Sequence, residues 1–552
     1  MSEKGIAKFT RGITWALLAM LLVAALLLQL HLVTDLDFDG ELLSTDAESL
    51  YGLRCARNGE SPYHDFSRPP HAVALYGPLF YTVPGTIARL LKTSWIGTII
   101  CGRCYTYAAW LGVGLVIYAL ARQAGCDRPF AAVAAFLWFS GTLAPQWAIA
   151  YRPDTVAVLL SLGALGVYQR GQQPMAVAAA VALLVAAFLH KQTAVTVLLV
   201  IVVTEMGRGR FGRAAAVLGG WTICVLAAVT AAQVLTDGAF VKNAFGAAML
   251  WVAPGQVWAF LQQATVGGAA AFAGGALAYG VTRGDGGLRL LRLGFAVSFE
   301  LALVTSVKAG ANLNYYLEPF AMACVLTGGL LRDGTQPATS RLTRRLCLAW
   351  FGLAIGVSAM VLWSRMEHFP ERWHALLDHR AMRAQQAQAW DRLATCLGEL
   401  DDRVLVEDLY LAVRQSRHPF ALHPLQLDAL RSAGRFDDSG LRQRIADGGF
   451  DAIVASFPLE EQARKRPFPS RWLEAASGRY VLEKRCVGSK PDETFYIYRP
   501  VRGAGDGLRT DGLRPGTGSK LILRLHHPQG PQECSTPSSG GLAEDGWCCD
   551  LS

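Results

Sequence analysis

Charged residues are scarce in this chain. They make up 17% of its 552 residues, whereas hydrophobic residues make up 52%; an average soluble domain carries roughly a quarter charged residues. The mean hydropathy is +0.27. Apolar runs of about 20 residues, the length that crosses a bilayer, recur along the first two thirds of the chain. This composition excludes an ordinary soluble domain and indicates a protein with many membrane spans.

Several motifs that carry chemistry are also absent. The sequence contains no G-x-S-x-G, which marks many serine hydrolases, and no G-x-x-x-x-G-K-[ST] phosphate loop. The C-x-x-C pair Cys101 and Cys104 lies inside an apolar run, so we interpret both as small packing residues. The net charge of +9 comes without a basic stripe of interleaved aromatics. A nucleic-acid partner is therefore not predicted, and the basic residues are assigned to membrane topology.

Eleven apolar runs are predicted to span the membrane. The first, Ile13–Val33, is longer than a signal-peptide core and follows three basic residues, so we interpret it as an uncleaved span with a cytoplasmic N-terminus. The loops that this arrangement places inside are rich in arginine. The segment Tyr76–Leu91 is short, and its first residue is followed by Gly77 and Pro78, which favours a surface or re-entrant helix. The other runs lie near residues 96–121, 130–149, 154–169, 174–190, 192–206, 214–234, 257–281, 289–307, 315–331 and 346–363.

The composition changes after Trp363. Residues 371–399 have a helical pattern, and four short β-like runs come after it with glycines between them. Because an odd number of spans precedes it, this region is predicted outside the cytoplasm, where Cys396 and Cys486 could form a disulfide. The sequence thus predicts an all-α polytopic membrane bundle with a small C-terminal α/β extracytoplasmic domain. The predicted parts are a membrane module at 1–364 with its first outer loop at 34–95, the α/β domain at 365–500 and a disordered tail at 501–552.

Four polar elements are predicted on the outer side. The first loop carries carboxylates, aromatics and prolines, and the other three elements open spans or connect two short ones. Acids can take a proton, cations can hold a phosphate, and amides with aromatics can bind a sugar. The three later elements are Tyr151-Arg152-Pro153-Asp154, His190-Lys191-Gln192-Thr193 and Lys308 to Pro319.

These elements resemble landmarks of a known family. The first loop reads Asp46-x-Glu48, Tyr51, Gly59-x-x-Pro62-Tyr63-x-Asp65-Phe66, Pro69-Pro70 and Tyr76-x-Pro78-Leu79-x-Tyr81, and Gly102-Arg103 comes after it. Together with Arg152-Pro153-Asp154, His190-Lys191-Gln192-Thr193 and Asn314-Tyr-Tyr-Leu-Glu318, this series resembles the C-type (GT-C) membrane glycosyltransferases. That family includes protein O-mannosyltransferases, aminoarabinose transferases and bacterial relatives. The resemblance covers roughly residues 10–500. In one departure, Ala47 separates two acids that are adjacent in the family's commonest motif, which leaves open which acid is the base.

The resemblance implies transfer of a hexose or pentose from a polyprenyl-phosphate donor to an acceptor hydroxyl on the outer face. A carboxylate would take the acceptor proton, and cations would stabilise the charge that grows on the phosphate. The implied catalytic acids are Asp46, Glu48 and Asp39, with Asp37 as a further candidate. The implied phosphate ligands are Arg152, Lys191 and Arg103. The implied substrate-binding residues are Tyr51, Tyr63, Asp65, Tyr76, Asp154, His190, Asn314, Tyr315 and Glu318.

The expected partners are a polyprenyl-phosphate-linked sugar, an envelope glycan, lipid or protein acceptor, and the lipid bilayer. No cofactor is certain, no metal ligand is predicted, and a divalent metal stays open. The expected location is the plasma (inner) membrane. Two alternative functions remain. The first is a polytopic transporter or lipid-linked-glycan flippase, which would show internal repeats with broken helices; the sequence shows no such repeats. A ligase-like or polymerase-like enzyme would carry its main polar loop late in the chain, whereas here the acidic loop comes first.

Overall fold

A computed structural model shows a predominantly helical chain. It describes residues 3–43, 46–171, 173–248, 252–281, 286–308, 310–336, 340–398, 400, 403–416, 419–459, 468–488 and 493–501. Met1–Val501 form one compact unit. Residues 502–552, most of the predicted tail, lie outside the described residues.

The first half of the chain contributes eleven α-helices to the described structure. They are α1 (Glu3–Thr34), α2 (Asp46–Asn58), α3 (Pro78–Leu90), α4 (Trp95–Gln123), α5 (Arg128–Ser140), α6 (Gln146–Ile149), α7 (Asp154–Arg170), α8 (Pro174–His190), α9 (Thr196–Gly207), α10 (Phe211–Leu235) and α11 (Ala239–Val241). A π-helical turn, Lys242–Gly246, comes directly after α11.

The second half contributes further helices and all the strands in the described part of the chain. The helices are α12 (Gln256–Gly267), α13 (Ala269–Val281), α14 (Gly286–Ser306), α15 (Leu317–Thr335), α16 (Arg341–Glu367), α17 (Phe369–Leu377), α18 (His379–Leu397), α19 (Leu409–Gln415), α20 (Pro424–Ser432), α21 (Ser439–Ala446) and α22 (Ser470–Ala476). A 3₁₀ turn, Leu313–Tyr316, precedes α15. The strands are β1 (Val404–Val406), β2 (Ala452–Ala455), β3 (Tyr480–Val487) and β4 (Thr494–Pro500).

Helices occupy all eleven predicted apolar runs, but they differ in their capacity to cross a bilayer. Within the described residues, α1, α4, α10 and α16 are long and apolar enough to cross alone, and α12 with α13 could form a fifth span bent by 93°. The bend lies at Gly268, between the two helices. The run predicted at 130–149 is also broken, because Gly141 and Pro145 interrupt helix between α5 and α6. The apolar helices α5, α8 and α9 are shorter than a full span.

Exposed apolar side chains on the long helices match a lipid environment. Leu115 on α4, Ile223 and Leu235 on α10, and Trp363 on α16 are each more than two-thirds exposed. Apolar surface of this extent on a monomer marks contact with another apolar phase. Together with the apolar helix composition, it identifies an integral membrane protein.

Helix α3, from the segment predicted as a surface or re-entrant helix, contains 13 residues. At 1.5 Å per residue it is about 20 Å long, shorter than the roughly 30 Å hydrocarbon core. Close glycine contacts hold it in place. A Cβ on Gly52 of α2 would lie 2.4 Å from the Tyr81 ring of α3, and one on Gly77 would lie 2.1 Å from the carbonyl oxygen of Leu189. The first loop is thereby packed against the end of α8.

The four strands form one sheet in the order β1-β2-β4-β3. Strands β1 and β2 are parallel, whereas β4 is antiparallel to both β2 and β3. A disulfide joins Cys396, at the end of α18, to Cys486 on β3. The sheet also shares a hydrophobic core with the first loop, in which Leu50 and Leu53 of α2 pack in the same cluster as Leu411 and Ile497. The first loop and the C-terminal region are therefore packed together.

Candidate functional site

Arg152 interacts with two groups of polar side chains. It precedes α7, is buried, and donates through Nη1 to the Tyr76 hydroxyl at 2.5 Å. Its guanidinium interacts electrostatically with Asp154, Asp46 and Glu48. We call the first set the cavity group, namely Asp154, Lys191, Asn314, Tyr315 and Glu318. We call the second set the loop group, namely Glu41, Glu48, His423 and Gln426.

The cavity group comes from helix ends that converge. Asp154 begins α7, Lys191 comes directly after α8, and Glu318 lies in the first turn of α15. Carboxylates are favoured at helix N-termini because the first backbone N–H groups have no intrahelical acceptor. The turn that joins α8 and α9 is partly buried, with Lys191 and Gln192 half-buried and Thr193 exposed. Three separate parts of the chain thus meet at one site.

Direct contacts connect the cavity group. The Lys191 ammonium donates to Oδ1 of Asp154, and Nδ2 of Asn314 donates to the same oxygen at 2.7 Å. The ammonium also lies 4.7 Å from the centre of the Tyr315 ring. Oε2 of Glu318 accepts a hydrogen bond from the Thr196 hydroxyl at 2.8 Å. All five residues of the group line a cavity of about 190 Å³, whose walls also include α7, α9 and α14.

The cavity retains unused hydrogen-bonding capacity. Three buried acceptor atoms have no partner among the described residues: Oδ2 of Asp154, Oδ1 of Asn314 and Oε1 of Glu318. Burial lowers the pKa of Lys308 to about 8, and the positive charge of Lys191 acts in the same direction. No carboxylate of the described residues forms an ion pair with Lys308. A ligand that carries both an anion and hydroxyl groups would satisfy these atoms.

The loop group is dominated by two buried carboxyl groups. Burial raises the pKa of Glu48 to about 8, while Arg152 and a hydrogen bond from Gln426 act in the opposite direction. Burial also raises the pKa of Glu41 to about 8, although its Oε1 accepts a hydrogen bond from the backbone N–H of Ala47 at 3.0 Å. Oε1 of Glu48 has no partner among the described residues. A carboxyl group with a raised pKa is a stronger base once it loses its proton.

Asp46 and Arg103 hold the first loop in place. Both side chains are completely buried, with Arg103 Nη2 3.8 Å from Oδ2 of Asp46. Oδ1 of Asp46 accepts from the backbone N–H of Tyr151 at 3.0 Å. The Arg103 guanidinium donates to the carbonyl oxygens of Phe38 at 2.6 Å and Gly40 at 2.7 Å. Burial raises the pKa of Asp46, and the charge of Arg103 opposes that rise.

Asp39 and Asp37, the other two predicted acids, form ion pairs with residues of the C-terminal region. Asp39 accepts from the Tyr410 hydroxyl at 2.5 Å and pairs with Arg414 at 2.9 Å. Asp37 pairs with Arg383 at 2.8 Å and contacts His379 at 3.1 Å. These ion pairs join the start of the first loop to α18 and α19.

The remaining predicted substrate-binding residues are dispersed around the two groups. The Tyr63 hydroxyl donates to the backbone carbonyl of Tyr76 at 2.7 Å, and the buried Tyr51 ring lies beneath Arg54. Asp65 is on the surface and pairs with Lys242.

His190 uses both ring nitrogens in its own surroundings. Nε2 lies 2.6 Å from the Tyr105 hydroxyl and Nδ1 lies 2.7 Å from the Ala186 carbonyl. Its contacts are therefore with α8 and α4 and not with the cavity group.

Several residues of the site have no recognisable signal in the sequence. Glu41 is one acid among many, and Lys308 marks only the start of a polar element. His423 and Gln426 lie 375 residues or more from Glu48 along the chain, in a region predicted only as α/β. Only tertiary contacts bring them to the loop group.

The likeness of this chain to known proteins is structural. No protein-family model matches the sequence, and no curated protein matches it. The structure is similar to ArnT from Cupriavidus metallidurans bound to undecaprenyl phosphate, with a TM-score of 0.53 and 15% sequence identity over 86% of this chain and 97% of that one. The apo state of the same protein gives a TM-score of 0.54 and 14% identity with the same coverage.

The chain has the GT-C fold. The similarity extends over nearly the whole length of ArnT. At this level of identity the likeness establishes the fold and assigns no residue a role. The GT-C fold predicted from the sequence is confirmed. Among the described residues, no group of three His, Cys, Asp or Glu side chains is placed to hold a metal ion.

Proposed function

We propose that this protein is a membrane glycosyltransferase that moves a sugar from a polyprenyl-phosphate donor to an acceptor hydroxyl on the outer face of the membrane. The observation that carries the proposal is the cavity group, where Lys191 and three unpartnered acceptor atoms line one cavity in a GT-C fold and Lys308 interacts electrostatically with Lys191. A phosphate fits the lysines, and sugar hydroxyls fit the acceptors. The similar ArnT structure was crystallised with undecaprenyl phosphate, a lipid of this class.

We place the donor phosphate next to Lys191 and Lys308, with Arg152 beside it. Lys191 is one of the phosphate ligands predicted from the sequence, and Lys308 has no described carboxylate partner. Arg103, also predicted, is enclosed by loop carbonyls and Asp46, so we assign it to holding the loop. The apolar walls that α7 and α14 contribute to the cavity suit the start of a lipid tail.

We propose Glu48 as the general base, in preference to Asp46 and Asp39. Both Asp46 and Glu48 have one oxygen without a hydrogen-bond partner among the described residues, but that oxygen of Asp46 forms an ion pair with Arg103 at 3.8 Å. No ion pair with Glu48 is found among the described residues, whereas Asp39 pairs with Arg414 and accepts from Tyr410. The acceptor O–H proton passes to the Glu48 carboxylate, and the acceptor oxygen bonds to the anomeric carbon. The bond between that carbon and the phosphate oxygen breaks, and its electron pair stays on polyprenyl phosphate. This leaving group is already stable as an anion, so no general acid is needed.

We further propose about eleven spans, a cytoplasmic N-terminus and an extracytoplasmic C-terminal region at residues 365–500. The basic loops support this orientation. The Cys396–Cys486 disulfide supports an oxidising compartment for the C-terminal region. Together they favour the plasma membrane, with the loop group on its outer side.

The test uses purified full-length protein in lipid nanodiscs with undecaprenyl-phosphate-linked glucose, galactose, mannose and arabinose. We expect the release of undecaprenyl phosphate from at least one donor, measured by thin-layer chromatography. Lys191→Ala should reduce release at saturating donor, and Lys92→Ala, an exposed lysine outside the site, is the control. Movement of intact donor across a vesicle membrane without release of undecaprenyl phosphate would identify a flippase and contradict the proposal.

A further inference from the structure

The segment Phe420–Gln426, which we call the docking segment, brings the C-terminal region to the loop group. The first loop holds it through two backbone hydrogen bonds, from the His71 N–H to the Phe420 carbonyl at 2.8 Å and from the Leu422 N–H to the His71 carbonyl at 3.0 Å. The His71 ring also packs edge-on against Phe420 at 5.1 Å. These contacts fix the backbone immediately before His423.

His423 has an unusual backbone conformation. Its φ of +58° and ψ of +71° lie in the left-handed region, directly before Pro424, which opens α20. Residues other than glycine enter this region at an energetic cost, and they persist there only when their surroundings impose it. Histidine, asparagine and aspartate are enriched among the exceptions. The hydrogen bonds between His71 and the docking segment are the contacts that hold the backbone next to His423.

A chain of hydrogen bonds fixes the His423 tautomer. Glu48 receives a hydrogen bond from the Gln426 side chain, so the Gln426 amide nitrogen is the donor there. The carbonyl oxygen of the same amide lies 3.3 Å from Nδ1 of His423 and can only accept. Nδ1 therefore carries the hydrogen, and Nε2 of the neutral ring presents a lone pair. Nε2 has no partner among the described residues, and His423 is partly exposed.

The charges around His423 keep the ring neutral. Burial lowers the pKa of His423, the Gln426 hydrogen bond raises it, and the positive charge of Arg152 lowers it. Glu48 and Glu41 hold their protons up to about pH 8, since burial raises the pKa of each carboxyl group. This surface thus offers an imidazole lone pair beside Glu48 and Glu41, and the deprotonated fraction of Glu48, which grows as the pH approaches 8, is the form that acts as the base.

The surroundings of the two groups favour different substrates. The cavity has apolar walls from α7 and α14, and its lining includes no residue of the loop group. His423 and Gln426 of the loop group belong to the C-terminal region, and Arg152 interacts electrostatically with His423 and with Asp154 of the cavity group. A lipid-linked donor fits the apolar walls of the cavity, which leaves the loop group for the second substrate.

We propose that His423 binds the acceptor, with Nε2 receiving a hydrogen bond from a neutral hydroxyl group, and that the docking segment forms the acceptor-side wall of the site. This inference rests on the proposed function and adds a residue from the C-terminal region to it. Glu48 removes the proton of the attacking hydroxyl, and His423 positions the acceptor through that hydroxyl or its neighbour. A neutral sugar or other polyol is the chemical class that fits an imidazole acceptor beside Glu48.

The experiment compares His423→Gly with wild type in nanodiscs. Glycine tolerates the left-handed backbone, so the change removes the ring without adding strain. Lys92→Gly is the matched control, because Lys92 also has a positive φ and lies away from both groups. The first readout is transfer from a donor that the wild type uses to octyl β-D-glucopyranoside, a neutral polyol. The second is the increase in melting temperature caused by undecaprenyl phosphate alone.

We expect His423→Gly to lower kcat/KM for octyl glucoside about tenfold while the shift caused by undecaprenyl phosphate is unchanged, and Lys92→Gly to match wild type in both. Should the glycine variant express poorly, His423→Asn keeps the backbone preference and replaces it. Unchanged kcat/KM for the acceptor would overturn the inference, and so would an equal loss of both readouts, which is the result of a merely structural role. If the wild type neither releases nor binds undecaprenyl phosphate, the proposed function itself fails.

Discussion

Replacement of Glu48 by glutamine tests the assignment of the base. The substitution keeps the shape of the side chain and its capacity to contact Arg152 and Gln426, but it cannot accept a proton. General-base catalysis contributes about 10²–10⁴-fold, and each factor of ten corresponds to about 1.4 kcal/mol of activation free energy. We therefore expect turnover at saturating donor to fall by at least about 100-fold.

The pH dependence gives an independent check on the same residue. The base must be deprotonated to act, and burial raises the pKa of Glu48 to about 8. The wild-type rate should rise with pH and level off above about pH 8, and this limb should be absent from the residual activity of Glu48→Gln. The charged and titratable groups that act on Glu48 are Arg152, Glu41 and the hydroxyls of Tyr76 and Tyr81.

Stability separates a lost base from a damaged fold. A carboxyl group with a raised pKa binds its proton more tightly in the folded state, so its contribution to stability declines as pH rises from its unfolded value to about 8. Glu48→Gln removes that loss, and its melting temperature at pH 8 should equal or exceed that of wild type. The control is Glu60→Gln, an exposed acid after α2. Near-normal turnover in Glu48→Gln would refute the assignment and return Asp46 to first place.

Two further predictions concern the phosphate site and the contact between loop and C-terminal region. Lys308→Ala should weaken binding of undecaprenyl phosphate. Wild type should take up a fraction of a proton on binding at pH 8, because the phosphate raises the pKa of Lys308, which burial has lowered to about 8. Calorimetry in buffers of different ionisation enthalpy measures this uptake, and its absence would exclude Lys308 from the site. Arg414→Ala leaves the buried Asp39 carboxylate without its ion pair, at a cost of about 3–5 kcal/mol of folding stability. We expect a lower melting temperature and faster proteolysis after α18. The control Arg392→Ala, which replaces an exposed arginine of α18, should match wild type.

The sequence was a good guide to features that depend on local pattern. Apolar runs predicted where helices form, and the segment Tyr76–Leu91, predicted as a short helix, contains the 13-residue α3. The β-like runs after Trp363 match the four strands. Hydrophobic periodicity and length are properties of neighbouring residues, so they can be read without tertiary structure.

The candidate site was less accessible to sequence reasoning because its parts meet only through tertiary contacts. Asp154, Lys191 and Asn314 converge because each lies next to or at the end of a helix. The sequence predicted these helix ends on the same side of the membrane. The separation of Asp39 from Glu48 could not be predicted, since it depends on Tyr410 and Arg414 far along the chain. Two acids in the same loop have the same local sequence character, and only their burial and partners distinguish a holding contact from a candidate base.

The contacts of Arg152 indicate how the reactions at the donor and at the acceptor could be coupled. Its guanidinium acts on Asp154 in the cavity group and on Glu48 in the loop group, and Tyr76 holds it from the first loop. A planar guanidinium can bind a phosphate oxygen on one edge and still contact a carboxylate on another. In the proposed mechanism the donor phosphate gains charge as the sugar leaves, and Glu48 loses charge as it takes the acceptor proton. The electrostatic attraction on Arg152 would then shift from the loop group to the cavity group. One buried cation can thus stabilise both ends of the transfer without moving between them.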